Sequence, residues 1–214
     1  MTEYLLHIEN LVKYFGRRLV FNGINASFKS KNIYGVAGPN GSGKSTFVKI
    51  IANLISPTRG IVTHKYEDKI IINEELHNYI GFVSPYLFLY DEFTAEENLI
   101  YFSKIRGISF DRKYSDFLLS ELNLIDRKND LVRSYSSGMK QRLKFIFALL
   151  HKPPLIILDE PTSNLDNIGK EKVYELISKE GEKNLVIIAS NELDDLKLCS
   201  QVLNLEDFKN KNES

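Results

Sequence analysis

Gly38-Pro39-Asn40-Gly41-Ser42-Gly43-Lys44-Ser45, followed by Thr46, decides how this chain reads. The pattern G-x-x-x-x-G-K-S is that of a phosphate-binding P-loop. Its physics asks for a strand, a loop that turns backbone N–H groups inward, and then a helix N-terminus. Ile33-Tyr34-Gly35-Val36-Ala37 is nearly continuously apolar, as a strand buried on both faces should be. Residues 46–54 repeat Phe47, Ile50, Ile51 and Leu54 at helical spacing. Between them the glycines let the loop wrap phosphates without Cβ clashes. Lys44 is placed to reach β- and γ-phosphates, and the Ser45 hydroxyl to ligate Mg²⁺.

Further along, Leu155-Ile156-Ile157-Leu158-Asp159-Glu160 supplies a partner element. Four apolar residues make a buried strand, and Asp159 emerges at its carboxyl end, where α/β sheets bind ligands. There Asp159 can hold the hydration shell of Mg²⁺, while Glu160 can orient and deprotonate a water. By itself an acidic pair after a strand is also a plain helix cap; the P-loop upstream is what favours the chemical reading.

The remaining elements follow from periodicity. Residues 5–8 and Ile24-Asn25-Ala26-Ser27-Phe28 have the alternation of half-buried strands. Ser56-Pro57-Thr58-Arg59-Gly60 reads as a turn, and short strands run from it to residues 80–83. Thr94-Ala95-Glu96-Glu97 is a capping box that opens a helix through about Ile105. Residues 111–122 predict a second helix with Phe117, Leu118 and Leu122 on its apolar side. A third runs from near Ser137 to Leu150, where Pro153-Pro154 forbids continuation. Residues 185–189 form another buried strand after a helix over 168–179, and the polar tail, 209–214, is expected to fray.

Between the two strand-end motifs stands Tyr135-Ser136-Ser137-Gly138-Met139-Lys140-Gln141-Arg142, and Pro161-Thr162-Ser163-Asn164-Leu165-Asp166 follows Glu160. In this order the motifs resemble those of ABC-type ATPases: the first their signature, the second their D-loop. The likeness runs from about Leu5 to Leu205. It implies an α/β fold, a P-loop NTPase with a RecA-like core, a small antiparallel β-subdomain and an inserted helical signature subdomain. About residues 1–84 and 152–208 would form the core lobe and about 85–151 the helical subdomain.

The resemblance also implies ATP and Mg²⁺ as cofactors, and roles residue by residue. Glu160, Lys44 and Asn191 are the expected catalytic residues, and Ser45 and Asp159 the metal ligands. Gly38, Pro39, Asn40, Gly41, Ser42, Gly43, Lys44, Ser45 and Thr46 would cradle the phosphates, and Phe15 would stack on adenine, with Tyr14 as the fallback. Small residues opening a helix aim its N–H groups at an anion. In the family that anion is the γ-phosphate on the other subunit, so Ser136, Gly138 and Asp166 would act across a dimer. Ser137 replaces the family's usual glycine and Met139 a frequent glutamine.

Two departures stand out. Pro85, in Ile80-Gly81-Phe82-Val83-Ser84-Pro85-Tyr86, falls where the family places its Q-loop glutamine, and no glutamine is near. Asn191 occupies the place of the switch histidine. An amide can hydrogen-bond a γ-phosphate but cannot become an imidazolium. A role for Asn191 as a helix cap for Glu192 onward stays open. The four histidines, His7, His64, His77 and His151, lie elsewhere and read as surface or packing residues.

Composition bounds the function. With 214 residues, 43% hydrophobic and 26% charged, the chain can bury a core and is not disordered overall. Lys plus Arg and Asp plus Glu are both 28, so bulk charge gives no expectation of nucleic-acid binding. One cysteine, Cys199, excludes an internal disulfide and a Cys-built zinc site. There is no signal-peptide pattern and no apolar run near the ~20 residues that span a bilayer. The leading expectation is an ATP-hydrolysing cytoplasmic subunit, peripheral on the inner face of the cell membrane. It would pair with an integral-membrane permease and act as a homodimer or with a second ABC cassette. The groove offered by Tyr86-Leu87-Phe88-Leu89-Tyr90 would receive a permease helix. The length and the Tyr-Ser-Ser-Gly-Met signature look like export-type or haem-exporter-type subunits. The alternatives are a soluble ABC ATPase and a degenerate, slowly hydrolysing cassette that serves as a nucleotide-dependent binding module.

Overall fold

The computed structural model describes residues 3–209; of the tail expected to fray, all but Lys209 lies outside them. Two sheets carry the fold. The first is antiparallel, with order β2-β1-β4-β5, from β1 (Tyr4–Phe15), β2 (Arg18–Lys29), β4 (Arg59–Tyr66) and the short β5 (Lys69–Ile70). Its strands follow period-two patterning: Leu6 and Ile8 are buried, while His7 and Glu9 face out. The second is parallel, with order β6-β7-β8-β3-β9, from β3 (Asn32–Ala37), β6 (Ile80–Val83), β7 (Leu155–Asp159), β8 (Leu185–Ala189) and β9 (Gln201–Asn204).

All five residues of β7 and all five of β8 are buried, as central parallel strands demand. Alternate side chains of β7 serve opposite faces. Ile156 and Leu158 join a core with α4 (Ser137–Leu149) and α5 (Asn167–Gly181). Leu155 and Ile157 join another with α1 (Lys44–Ile51) and the antiparallel sheet. The helices α2 (Ala95–Ile105) and α3 (Arg112–Glu121) complete the first core, and a short α6 (Leu193–Leu196) follows β8.

This sheet order positions the site. In the row β7-β8-β3, the carboxyl ends of three neighbouring strands deliver Asp159, Asn191 and the glycine-rich loop to one edge.

The capping box is present: Thr94 Oγ1 accepts from Glu97 N at 3.1 Å, and Thr94 N donates to Glu97 Oε2 at 2.8 Å. Several boundaries differ from expectation. Helix α1 begins at Lys44 rather than Thr46, because Gly43 at φ 108° turns the chain directly into it. It ends at Ile51, leaving Leu54 59% exposed. Strands β1 and β2 are much longer than residues 5–8 and 24–28, since bulges let them run on through polar positions. Leu118 and Leu122 are buried as expected, but Phe117 is exposed and stacks on Tyr114, and Ser115 and Leu119 share the buried side of α3 in its place. The edge strand β9 and the one-turn α6 were too short to carry a periodic signal.

Candidate functional site

The loop after β3 closes over itself. Ser42 N donates to Pro39 O at 3.0 Å, and a Cβ on Gly38 would lie 2.6 Å from Ser42 Oγ. At Gly43 a Cβ would meet Val20 at 2.4 Å, so only glycine fits that turn. The loop then enters α1, whose first turn holds Lys44 and Ser45 and no acid. Lys44 Nζ donates to Gly38 O at 2.9 Å and to Pro39 O at 3.4 Å, and it stands 3.5 Å from Glu160 Oε1. Its ammonium is thus held at the centre of the loop, 5% exposed.

Ser45 Oγ donates to Asp159 Oδ1 at 3.0 Å, joining residues 114 positions apart. Asp159 is fully buried, and its Oδ2 has no hydrogen-bond partner among the described residues. Burial pushes its carboxyl up; the Ser45 hydroxyl, then Lys49 and Lys44, pull it back. Glu160 is likewise pushed up by burial and pulled back chiefly by Lys44. Its backbone is left-handed, φ 50°, and Glu160 N donates to Ala189 O on β8 at 2.9 Å.

Gly43, Lys44, Ser45 and Glu160 line a cleft of about 920 Å³, and the buried Asp159 holds Ser45 at its edge. Phe15, Asn40, Gly41, Gly43, Lys44, Ser45, Thr46, Glu160 and Asn191 all face it. Phe15 rather than Tyr14 stands on its wall, 54% exposed, with Lys13 Nζ 4.7 Å from the ring centre. Asn191 does not cap α6: the cap position is Glu192, and Glu192 N donates to Ser190 Oγ at 3.0 Å. Pro85 lies on the cleft wall with Tyr86, and its carbonyl accepts from Lys144 Nζ at 2.8 Å. None of the four histidines lines the cleft. His64 is buried against Tyr4, while His7 and His77 are exposed.

Of the other expected residues, Gly38, Pro39 and Asp159 bond to Lys44 and Ser45 without lining the cleft, Ser42 is buried within the loop, and Ser136, Gly138 and Asp166 lie away from the cleft. Ser136 caps α4, accepting from Met139 N at 3.2 Å, and Gly138 packs under Asn164 O. Asp166 caps α5, accepting from Gly169 N at 2.8 Å. Conversely, Arg18 and Lys209 line the cleft without having been singled out, and Tyr86, expected in the permease groove, lines the cleft as well. Arg18 sits one strand turn past Phe15, a signal within reach of the sequence. Lys209 arrives only because Phe208 packs on the core, which no local pattern announces.

The family model for the ABC transporter matches residues 21–163. The chain is 31% identical over 205 residues to the linearmycin resistance ATP-binding protein LnrL of Bacillus subtilis, covering 92% of this chain and 65% of that protein. It therefore spans a little under two thirds of that relative's length. It is 33% identical over 204 residues to the lantibiotic transport ATP-binding protein SrtF of Streptococcus pyogenes, covering 95% of this chain and 85% of that one. A bacterial ABC transporter cassette solved as a dimer superposes with a TM-score of 0.78 at 26% identity, covering 93% of each chain. Loop, strand-end carboxylates, sheet order and family match agree, and the chain belongs to the ABC transporter family.

Proposed function

We propose that this chain is the ATP-binding and ATP-hydrolysing subunit of a membrane transporter, working as a pair of cassettes that close on ATP. One observation carries the reading: the Ser45–Asp159 hydrogen bond at 3.0 Å, which puts a P-loop hydroxyl on the strand-end carboxylate. Around it stand a central ammonium, Lys44, and a candidate base, Glu160.

The donor set fits Mg²⁺. A hydroxyl and a carboxylate with one free buried oxygen are hard ligands, suited to a cation that keeps several of its waters. Ser45 and Asp159 would hold it, and when bound it supplies neutralisation of charge on the β- and γ-phosphates. Lys44 and the loop N–H groups bind the phosphates. Glu160 orients a water and accepts its proton, and Asn191 donates to the γ-phosphate. Phe15 offers its exposed ring to adenine.

Ser136, Gly138 and Asp166 stand outside the cleft of their own chain. Their place supports a second copy, or a paired cassette, whose nucleotide they contact. No helix among the described residues is long and apolar enough to cross a membrane, so a separate permease is proposed to carry the cargo path. Its docking place is the groove of about 370 Å³ between α4 and residues 85–91, where Tyr86 and Phe88 are exposed. The division into a core lobe, about 1–84 and 152–208, and a helical subdomain, about 85–151, belongs to the same reading. So does a place on the cytoplasmic face of the membrane. The relatives' names, one for resistance and one for lantibiotic transport, favour an export type. A second reading, a cassette that binds ATP and hydrolyses it slowly, draws on Pro85 and Asn191.

Glu160→Gln tests the proposal. ATP affinity is expected to persist while turnover falls on the order of 10²-fold or more. With MgATP the variant should elute as a dimer at concentrations of roughly tens of micromolar, as transient interfaces of this class require. Unchanged turnover in Glu160→Gln, or equal ATP affinity in wild type and Lys44→Ala by calorimetry, would sink it. A wild type that binds ATP but hydrolyses it barely above background, so that Glu160→Gln has no turnover to lower, would instead select the slow-cassette reading.

A further inference from the structure

We propose that Asp195 is a positioning residue for hydrolysis, fixing the two chain segments that carry Glu160 and Asn191 through the hydroxyls of Thr162 and Ser190. The inference rests on the ATPase reading above. Asp195 is fully buried. Thr162 Oγ1 and Tyr174 OH each donate to its Oδ1 at 2.8 Å, and Ser190 Oγ donates to its Oδ2 at 2.6 Å. A buried carboxylate is costly unless its oxygens are satisfied, and here three neutral hydroxyls from three segments do so.

Two of those segments border the cleft. Thr162 lies two residues beyond Glu160, and Ser190 immediately precedes Asn191. Ser190 Oγ also accepts from Glu192 N at 3.0 Å, so one hydroxyl sets the chain direction on both sides of Asn191. Glu160 needs such support. A left-handed backbone is strained for a non-glycine residue and persists only where the surroundings over-determine it. Those surroundings are the bond from Glu160 N to Ala189 O, the bond from Gln141 Nε2 to Pro161 O at 3.0 Å, and the Thr162–Asp195 pair. Asp195 reaches both cleft segments at once. Tyr174, from α5 and away from the cleft, satisfies the same oxygen as Thr162 and supplies an internal comparison.

The test measures kcat, KM, ATP affinity and Tm for wild type, Asp195→Asn, Thr162→Val, Ser190→Ala and Tyr174→Phe. Asp195→Asn, Thr162→Val and Ser190→Ala should each lower kcat about tenfold or more, with ATP affinity within about twofold, because misplacement is felt in the transition state rather than in binding. Tyr174→Phe should lower Tm about as much as Thr162→Val yet leave kcat within about twofold. Ser190→Thr, which keeps the hydroxyl, should restore turnover. Equal kcat losses in Tyr174→Phe and Thr162→Val, or losses that only follow the folded fraction, would show a structural role and overturn the inference. Active wild type with unaffected variants removes this inference alone; wild type that neither binds nor hydrolyses ATP removes the ATPase reading as well.

Discussion

Asn191 shows how one side chain limits a site. It stands on the cleft wall beside Glu192 and does not cap the helix after it, so its amide is left for the cleft. Asn191→Ala should depress hydrolysis ~10²–10³-fold, the usual worth of one preorganised donor, and leave ADP affinity intact. Steady-state ATPase rates beside ADP calorimetry check this; ordinary rates would remove Asn191 from the chemistry. Asn191→His should gain little. Pro85 offers only a carbonyl, and that carbonyl is already engaged by Lys144, so this residue supplies no side-chain donor for a water. The residue-scale chemistry was the most legible part of the sequence, because Lys44, Ser45, Asp159 and Glu160 sit in short patterns with fixed neighbours. Asp195 was not, because its three partners come from positions that only folding brings together.

Among the elements, the contact of β6 with α4 has the least tolerance. A Cβ on Gly81 would lie 2.2 Å from Ala148 O and 2.8 Å from Pro153 Cγ. The first of these is backbone and cannot rotate away. Gly81→Ala should therefore cost ~1–3 kcal/mol or more, by forcing α4 off the sheet edge. Urea unfolding of the pair measures it, and an unchanged midpoint would contradict the close approach. Elements with strong local signals were readable in advance: the capping box of α2, the unbroken apolar runs of β7 and β8, and the two prolines that follow α4. Phe117 was misjudged because a helical pattern gives a stripe but not which edge of it meets the neighbour. Once α3 packs on α4, Leu119 takes the buried place.

At the scale of the whole molecule, two histidines tie stability to pH. Burial lowers His64 to about 4, and burial with Arg106 beside it lowers His151 to about 4. Both are therefore neutral in the folded chain, while the unfolded chain titrates near the ordinary value of 6.5. In that interval the unfolded state binds more protons, so stability rises with pH. Their contribution is fully present above about 6.5 and is lost as pH falls toward 4, on the order of a few kcal/mol together. Urea melts between pH 7 and 4.5 should show a smaller loss in the His64→Gln, His151→Gln double variant than in wild type. Identical slopes would mean that neither ring is held neutral.

The phosphate loop, the strand-end carboxylates and the order of motifs are legible in the amino-acid order, because each depends on neighbours within a few residues. Set beside the family it resembles, the sequence also shows Pro85 and Asn191 in unusual places. What meets across the chain was settled by the folded arrangement. The order β7-β8-β3 sets Asp159 against Ser45, and strand order is not written in any local period. The same holds for Lys209 at the cleft, for Phe15 rather than Tyr14 on its wall, and for the buried Asp195 hub. Each follows from long-range packing of apolar surfaces, which is non-directional and fixes partners only when the whole core closes.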